Sequence, residues 1–129
     1  MVYKRILLID DDEDDQNFFV EAVDALTHSA VVTILDNGVE ALKRLSAKQI
    51  IADLIFLDLN MPLMNGHEFL MTIRKDPLLK NIPIIIFSTS NSAKTIESSK
   101  ELGAMDFIHK PTSSDQLTEI LKPFLIPAN

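Results

Sequence analysis

Ile6-Leu7-Leu8-Ile9 is an unbroken apolar run, and Asp10-Asp11-Asp12-Glu13-Asp14-Asp15 follows it directly. A run apolar at every position suits a strand covered on both faces, as in a parallel sheet. Beyond the acids, Phe18, Phe19, Ala22, Val23 and Leu26 recur at helical spacing. They predict a helix over Glu13 to Leu26. The stretch therefore reads as one strand turned into one helix.

The rest of the chain repeats that unit. Apolar runs at Val31 to Leu35, Leu54 to Leu57, Ile84 to Phe87 and Met105 to Ile108 predict four more strands. A second helix follows Asn37-Gly38, with Val39, Leu42 and Leu45 inward. A third follows Asn65-Gly66, with Phe69, Leu70 and Ile73 inward, and stops before Pro77. A fourth covers about Ser92 to Leu102 and ends at Gly103, a residue suited to a C-terminal cap. Its apolar stripe (Ala93, Ile96, Leu102) is thin. A fifth starts near Ser113 or Ser114 and carries Leu117, Ile120, Leu121 and Phe124, with Pro123 expected to disturb its last turn. Strict alternation of strand and helix implies an α/β doubly wound parallel sheet with helices on both faces.

The bulk composition narrows the function classes. The chain has 129 residues, which suits one domain over 1–129. Only four residues follow Leu125, so no output domain is expected. There is no cysteine, which excludes disulfides, zinc–thiolate sites and thiol nucleophiles. A net charge of -7 argues against a nucleic-acid footprint and against docking on anionic lipid. The apolar runs are far shorter than a membrane helix needs, and the start lacks a signal-peptide plan. A cytoplasmic location is expected.

In an open parallel sheet, ligands gather beyond the carboxyl ends of the strands. Those ends carry Asp10-Asp11-Asp12 after the first strand and Asp58-Leu59-Asn60 after the third. Ser88-Thr89 follow the fourth, and His109-Lys110-Pro111 end the fifth. Asp10, Asp11 and Asp58 would repel one another in one pocket. A hard divalent cation such as Mg²⁺ or Mn²⁺ would relieve that repulsion. Asp58 could then act as a carboxylate nucleophile toward a phosphoryl group, with Lys110 and Ser88 contacting its oxygens. Asp12, Glu13, Asp14 and Asp15 read as a solvated run favoured by the helix N-terminus. His28, His67 and His109 lack ligand spacing and read as structural or surface residues.

These motifs resemble the receiver domains of two-component response regulators: Leu8-Ile9-Asp10-Asp11-Asp12, Leu57-Asp58-Leu59-Asn60-Met61-Pro62 with Asn65-Gly66, Phe87-Ser88, and Lys110-Pro111. The resemblance covers nearly the whole chain. It implies a flavodoxin-like (βα)5 sheet of order 2-1-3-4-5 and a phosphoacceptor switch, not a conventional enzyme. Asp58 would be the phosphoacceptor. Asp11, Asp58 and the Asn60 backbone carbonyl would hold the metal directly, and Asp10 through water. Ser88 and Phe107 would be the switch pair. A sensor histidine kinase or phosphotransfer protein would supply the phosphoryl group. The surface of the fourth helix, fifth strand and fifth helix would meet a downstream protein, which leaves open a phosphorylation-dependent dimer.

Two positions depart from the family pattern: Phe107 lacks a hydroxyl, and Thr89 stands where alanine is frequent. The lengthened connection from Ile73 to Pro83 is similar to that of receivers serving histidine kinases, phytochrome-type kinases among them. A dehalogenase-type phosphohydrolase would need an acid two residues after its nucleophile, and Asn60 occupies that place. A phosphorylation-independent scaffold would be expected to lack one of the acids, the lysine or the hydroxyl.

Overall fold

In the computed structural model, which describes residues 2–127, five βα units follow one another. The strands are β1 (Arg5–Ile9), β2 (Val31–Leu35), β3 (Leu54–Leu57), β4 (Ile84–Ser88) and β5 (Asp106–His109). The helices are α1 (Glu13–Leu26), α2 (Gly38–Ser46), α3 (Gly66–Arg74), α4 (Ala93–Glu101) and α5 (Ser114–Leu125). All neighbouring strands are parallel, in the order β2-β1-β3-β4-β5.

The continuous apolar runs are explained by two cores, one on each face of the sheet. Side chains alternate along a strand. Leu7, Ile9, Ile55, Leu57, Ile84 and Ile86 therefore pack with Ala41, Leu45, Phe69, Leu70 and Ile73 of α2 and α3. Ile6, Leu8, Leu54, Phe56, Ile85 and Phe87 pack with Phe19, Ala22 and Val23 of α1 and Leu117, Leu121 and Leu125 of α5. The second core is aromatic at its centre. Phe56 meets Phe19, Phe87 and Phe124 edge-on, with centroids 5.0, 6.1 and 6.0 Å away. Edge-to-face packing of this kind adds to what area burial alone supplies.

Each helix starts on a side-chain cap. Asp12, Asn37, Asn65, Ser92 and Ser113 each accept from the backbone N–H of the third residue of the helix that follows. At Asn65 the cap is reciprocal, since Glu68 accepts from the Asn65 N–H. Gly103 lies at φ +99°, in the left-handed region, and ends the α4 segment as its sequence implies.

Three expectations need correction. Val39 faces solvent, because Gly38, Ala41 and Leu45 supply the buried stripe of α2. Pro123 sits inside α5 without ending it. Leu125 is buried beyond it, and the Phe124 carbonyl accepts from the Tyr3 N–H at 2.8 Å, so tertiary contacts carry the last turn. β5 begins at Asp106, one residue late, and lies at a sheet edge where Met105 is exposed. Among the described residues no helix is long and apolar enough to cross a membrane.

Two non-glycine residues lie at positive φ, Lys48 at +58° and Leu63 in the loop after β3. Leu63 has φ +71° and is 81% exposed, and the Met64 N–H donates to the Pro62 carbonyl across it at 2.8 Å. That is a tight three-residue turn of the rare positive-φ kind. Strain there costs about 1–3 kcal/mol, while glycine adds about 0.5–1 kcal/mol of unfolded-state entropy. We expect Leu63→Gly to raise the urea midpoint, by on the order of 1 kcal/mol in stability, with Leu63→Ala near neutral. A lower midpoint for the glycine variant would refute the strain.

Candidate functional site

Three backbone rungs extend the ladder past the strand ends. Asp10 N–H donates to Leu35, Asp58 N–H to Ile9 and Lys110 N–H to Ser88, at 3.1, 3.0 and 2.8 Å. The residue after β1, after β3 and after β5 is thus fixed by the neighbouring strand. Their side chains converge as a consequence of register. Asp10, Asp58, Ser88 and Lys110 are all buried.

Lys110 occupies the centre. Its Nζ donates to Asp10 Oδ2 at 2.8 Å, to Asp15 Oδ2 at 2.7 Å and to Asp58 Oδ2 at 3.3 Å. The same ammonium lies 5.8 Å from the Phe87 ring centroid, so the aromatic core supports it from below. Asp10 Oδ1 accepts from the Asp12 N–H at 2.9 Å, and Asp58 Oδ1 from the Asn60 N–H at 3.3 Å. Gln16 adds a brace, its Nε2 donating to the Asp10 carbonyl at 2.7 Å and to Asp36 at 3.1 Å.

Asp11 is exposed, but it is part of the cluster. Asp10, Asp11 and Asp58 each place a carboxylate oxygen within 4.8 Å of the others. With Asp15 that makes four carboxylates around one ammonium. Burial pushes the Asp10 and Asp58 pKa values up, and the single Lys110 charge only partly offsets it. For Lys110 itself burial pulls downward, but its hydrogen bonds to Asp10 and Asp15 outweigh that and hold it charged, above the usual lysine range. The pocket carries surplus negative charge and offers oxygen donors alone, which fits a hard divalent cation.

Gly66 shows how tightly α3 is laid against this pocket. A Cβ there would stand 2.7 Å from the Asp58 carbonyl oxygen and 2.8 Å from Leu59 Cα. The pair Asn65-Gly66 is therefore a helix cap followed by a close backbone crossing, which is more than the turn its sequence signals.

Ser88 ends β4. By alternation its side chain shares a sheet face with Ile86, the face on which Phe107 packs. Ile86 pairs with Phe107 and Ser88 with His109, so Ser88 and Phe107 are diagonal neighbours on adjacent strands. Ser88 Oγ accepts from the Ser90 N–H at 3.2 Å. Phe107 is half-buried. Thr89 is exposed, and its carbonyl meets His109 Nε2 at 3.0 Å.

Sequence reasoning missed three groups. Asp15 reads as a solvated acid, yet it is bound to Lys110. The missed signal is its place in the first turn of α1, because helical side chains lean back toward the N-terminus and so toward the strand ends. His67 Nε2 meets Ser99 Oγ at 3.0 Å, tying α3 to the one buried residue of α4. Arg74 donates to the carbonyls of Lys80, Ile82 and Gly103. No local pattern announces either pair. The wide, mostly apolar groove lined by Leu45, Ile51, Leu79 and Ile82, about 540 Å³, lies at the opposite end of the sheet, with Ser46, Lys48 and Asp76 as its polar lining.

The profile of the response regulator receiver domain family matches residues 6–122. The chain is 38% identical to a protein-glutamate methylesterase/protein-glutamine glutaminase of Treponema denticola, over 86% of this chain but only 29% of that protein. Among solved structures it is similar to the phosphorylated cyanobacterial phytochrome response regulator RcpA. That match has a TM-score of 0.85 and 35% identity, over 95% of this chain and 91% of that one. It is also similar to the Mn²⁺-bound response regulator Rcp1, with a TM-score of 0.87 and 27% identity, over 98% and 97%.

The raised carboxylate pKa values make a stability prediction. A carboxylate whose folded pKa exceeds its unfolded value loses stability as pH climbs from about 4 through the raised value. In metal-free buffer at pH 7, Asp58→Asn should therefore raise the denaturation midpoint, by on the order of 1 kcal/mol. With Mg²⁺ at a hundred times its dissociation constant the wild type gains about 2.7 kcal/mol, and the advantage of the variant should shrink or reverse. A variant less stable than wild type without metal would contradict this electrostatic reading.

Proposed function

Because the chain belongs to the response regulator receiver domain family, we propose that Asp58 is its phosphoacceptor and that phosphorylation there is the input of a protein-binding switch. The carrying observation is the convergence of Asp10, Asp11, Asp58 and Lys110 at one end of the sheet. Receiver domains take their phosphoryl groups from histidine kinases or phosphotransfer proteins, and are phosphoacceptor switches, not conventional enzymes.

The reaction follows from the residues in place. A carboxylate oxygen of Asp58 attacks phosphorus, a P–O bond forms to give an acyl phosphate, and the P–N bond to the donor histidine breaks. The departing histidine nitrogen takes a proton. Burial keeps the Asp58 carboxylate poorly solvated and ready to share its charge. Lys110 is held charged within reach of the incoming oxygens. The ligand set would be Asp11, Asp58 and the Asn60 backbone carbonyl, with Asp10 acting through water. Mg²⁺ or Mn²⁺ bound there supplies charge neutralisation for the phosphoryl oxygens. The Mn²⁺-bound Rcp1 and the phosphorylated RcpA, both similar to this chain, support that assignment.

Output runs through Ser88 and Phe107. The Ser88 hydroxyl turns to donate to a phosphoryl oxygen, and Phe107, its diagonal neighbour, moves into the space released. Phe107 carries no hydroxyl, so its two positions differ only in packing. α4 buries Ser99 alone, which leaves it few apolar contacts to break when it shifts. The face formed by α4, β5 and α5 then presents a changed surface to a downstream protein or to a second copy.

Incubation with acetyl phosphate and Mg²⁺, read by intact-protein mass, tests the assignment. The expected result is a gain of about 80 Da, the mass of one phosphoryl group, that disappears in Asp58→Asn. Retention of the adduct in that variant, or no adduct on folded wild type from either acetyl phosphate or a phosphorylated histidine donor, would overturn it.

A further inference from the structure

The ammonium of Lys110 has three N–H donors, and all three are taken by carboxylates. Any new acceptor must displace one of them. The three are not equivalent. Asp58 is the longest contact, at 3.3 Å, and it is the residue that would carry the phosphoryl group. Asp10 is fully buried, and releasing its 2.8 Å contact would strand a desolvated charge. Asp15 makes the shortest contact, at 2.7 Å, yet its side chain is 37% exposed.

Asp15 is also the acid that can best do without the lysine. It stands in the first turn of α1, where the helix N-terminus favours negative charge and water can reach it. Its backbone is fixed independently, since its N–H donates to the capping Asp12 Oδ1 at 3.0 Å. Losing Lys110 would therefore leave α1 intact.

From this geometry, and resting on the phosphoacceptor reading of Asp58, we propose that Asp15 is a positioning residue that holds Lys110 at rest and is displaced by the phosphoryl group. Asp15 competes with the phosphoryl oxygens for one N–H of Lys110. Its charge-assisted hydrogen bond sets part of the free-energy difference between the resting and phosphorylated states. On phosphorylation the lysine turns from the first turn of α1 to the modified Asp58. The modification is then registered on the α1 side of the sheet as well as at Ser88.

The test is an equilibrium one, so that ground-state and transition-state effects stay apart. Beryllofluoride, a tetrahedral mimic of an aspartyl phosphate, is titrated by calorimetry into wild type, Asp15→Asn and Asp14→Asn at saturating Mg²⁺, with Mg²⁺ affinity measured separately. Asp14→Asn removes the same charge from an exposed neighbour that makes no contact with Lys110 among the described residues. Asp15→Asn should bind the mimic roughly 3- to 10-fold more tightly, and Asp14→Asn as wild type does. Equal tightening in both variants would reduce Asp15 to bulk charge and overturn the proposal. Unchanged or weaker binding in Asp15→Asn would also overturn it, the weaker case meaning that Asp15 presents Lys110 to the phosphoryl group. Failure of folded wild type to bind the mimic at all would overturn the phosphoacceptor reading itself.

Discussion

The Lys110 ammonium, set at the end of β5, binds carboxylates carried at the end of β1, at the end of β3 and in the first turn of α1. Those attachments span 100, 52 and 95 residues of sequence, so a single charge joins distant parts of the chain at one end of the sheet. Its position depends on the parallel register, which continues one rung past each strand and fixes the backbone of Asp10, Asp58 and Lys110. It depends as well on the aromatic core, whose Phe87 lies under the ammonium. Packing on one face of the sheet and charge at the strand ends are thereby the same problem.

One ammonium does not balance its surroundings. The surplus of negative charge is a cost of the pocket that a bound cation would relieve, and the cation together with Lys110 would then offset the charge of a phosphoryl group. The same logic appears elsewhere in the site as local cost. Leu63 is held at positive φ in the loop after Asp58, and Gly66 accepts a backbone crossing that no side chain would permit. Local rules are broken in the loop that follows Asp58, as expected where a site is built on a rigid scaffold.

The fold was legible because its strands are buried on both faces, so that runs such as Ile84-Ile85-Ile86-Phe87 have no polar side to obscure them. Strand-end position then suggested that Asp10, Asp11 and Asp58 meet, with a hydroxyl and an ammonium nearby. Errors arose where tertiary contact overrode local preference. Val39 lost the inner face of α2 to Ala41, and the last turn of α5 survived Pro123 because Leu125 and Tyr3 hold it. Asp15 was hidden inside a run of six acids, and only the direction of its side chain separates it from Asp14. The His67–Ser99 and Arg74–Gly103 attachments join residues about 30 positions apart through chain folding, which no spacing rule encodes.

The most direct test of a cation pocket at the strand ends is paramagnetic line broadening of backbone amides during titration with Mn²⁺. The arrangement of donors predicts broadening first at Asp10 to Asp12 and at Asp58 to Asn60, reversed by excess Mg²⁺ and abolished in Asp11→Asn. Broadening centred on Glu13 and Asp14, with Asp58 and Asn60 untouched, would show ordinary attraction to a solvated acidic run and contradict the account.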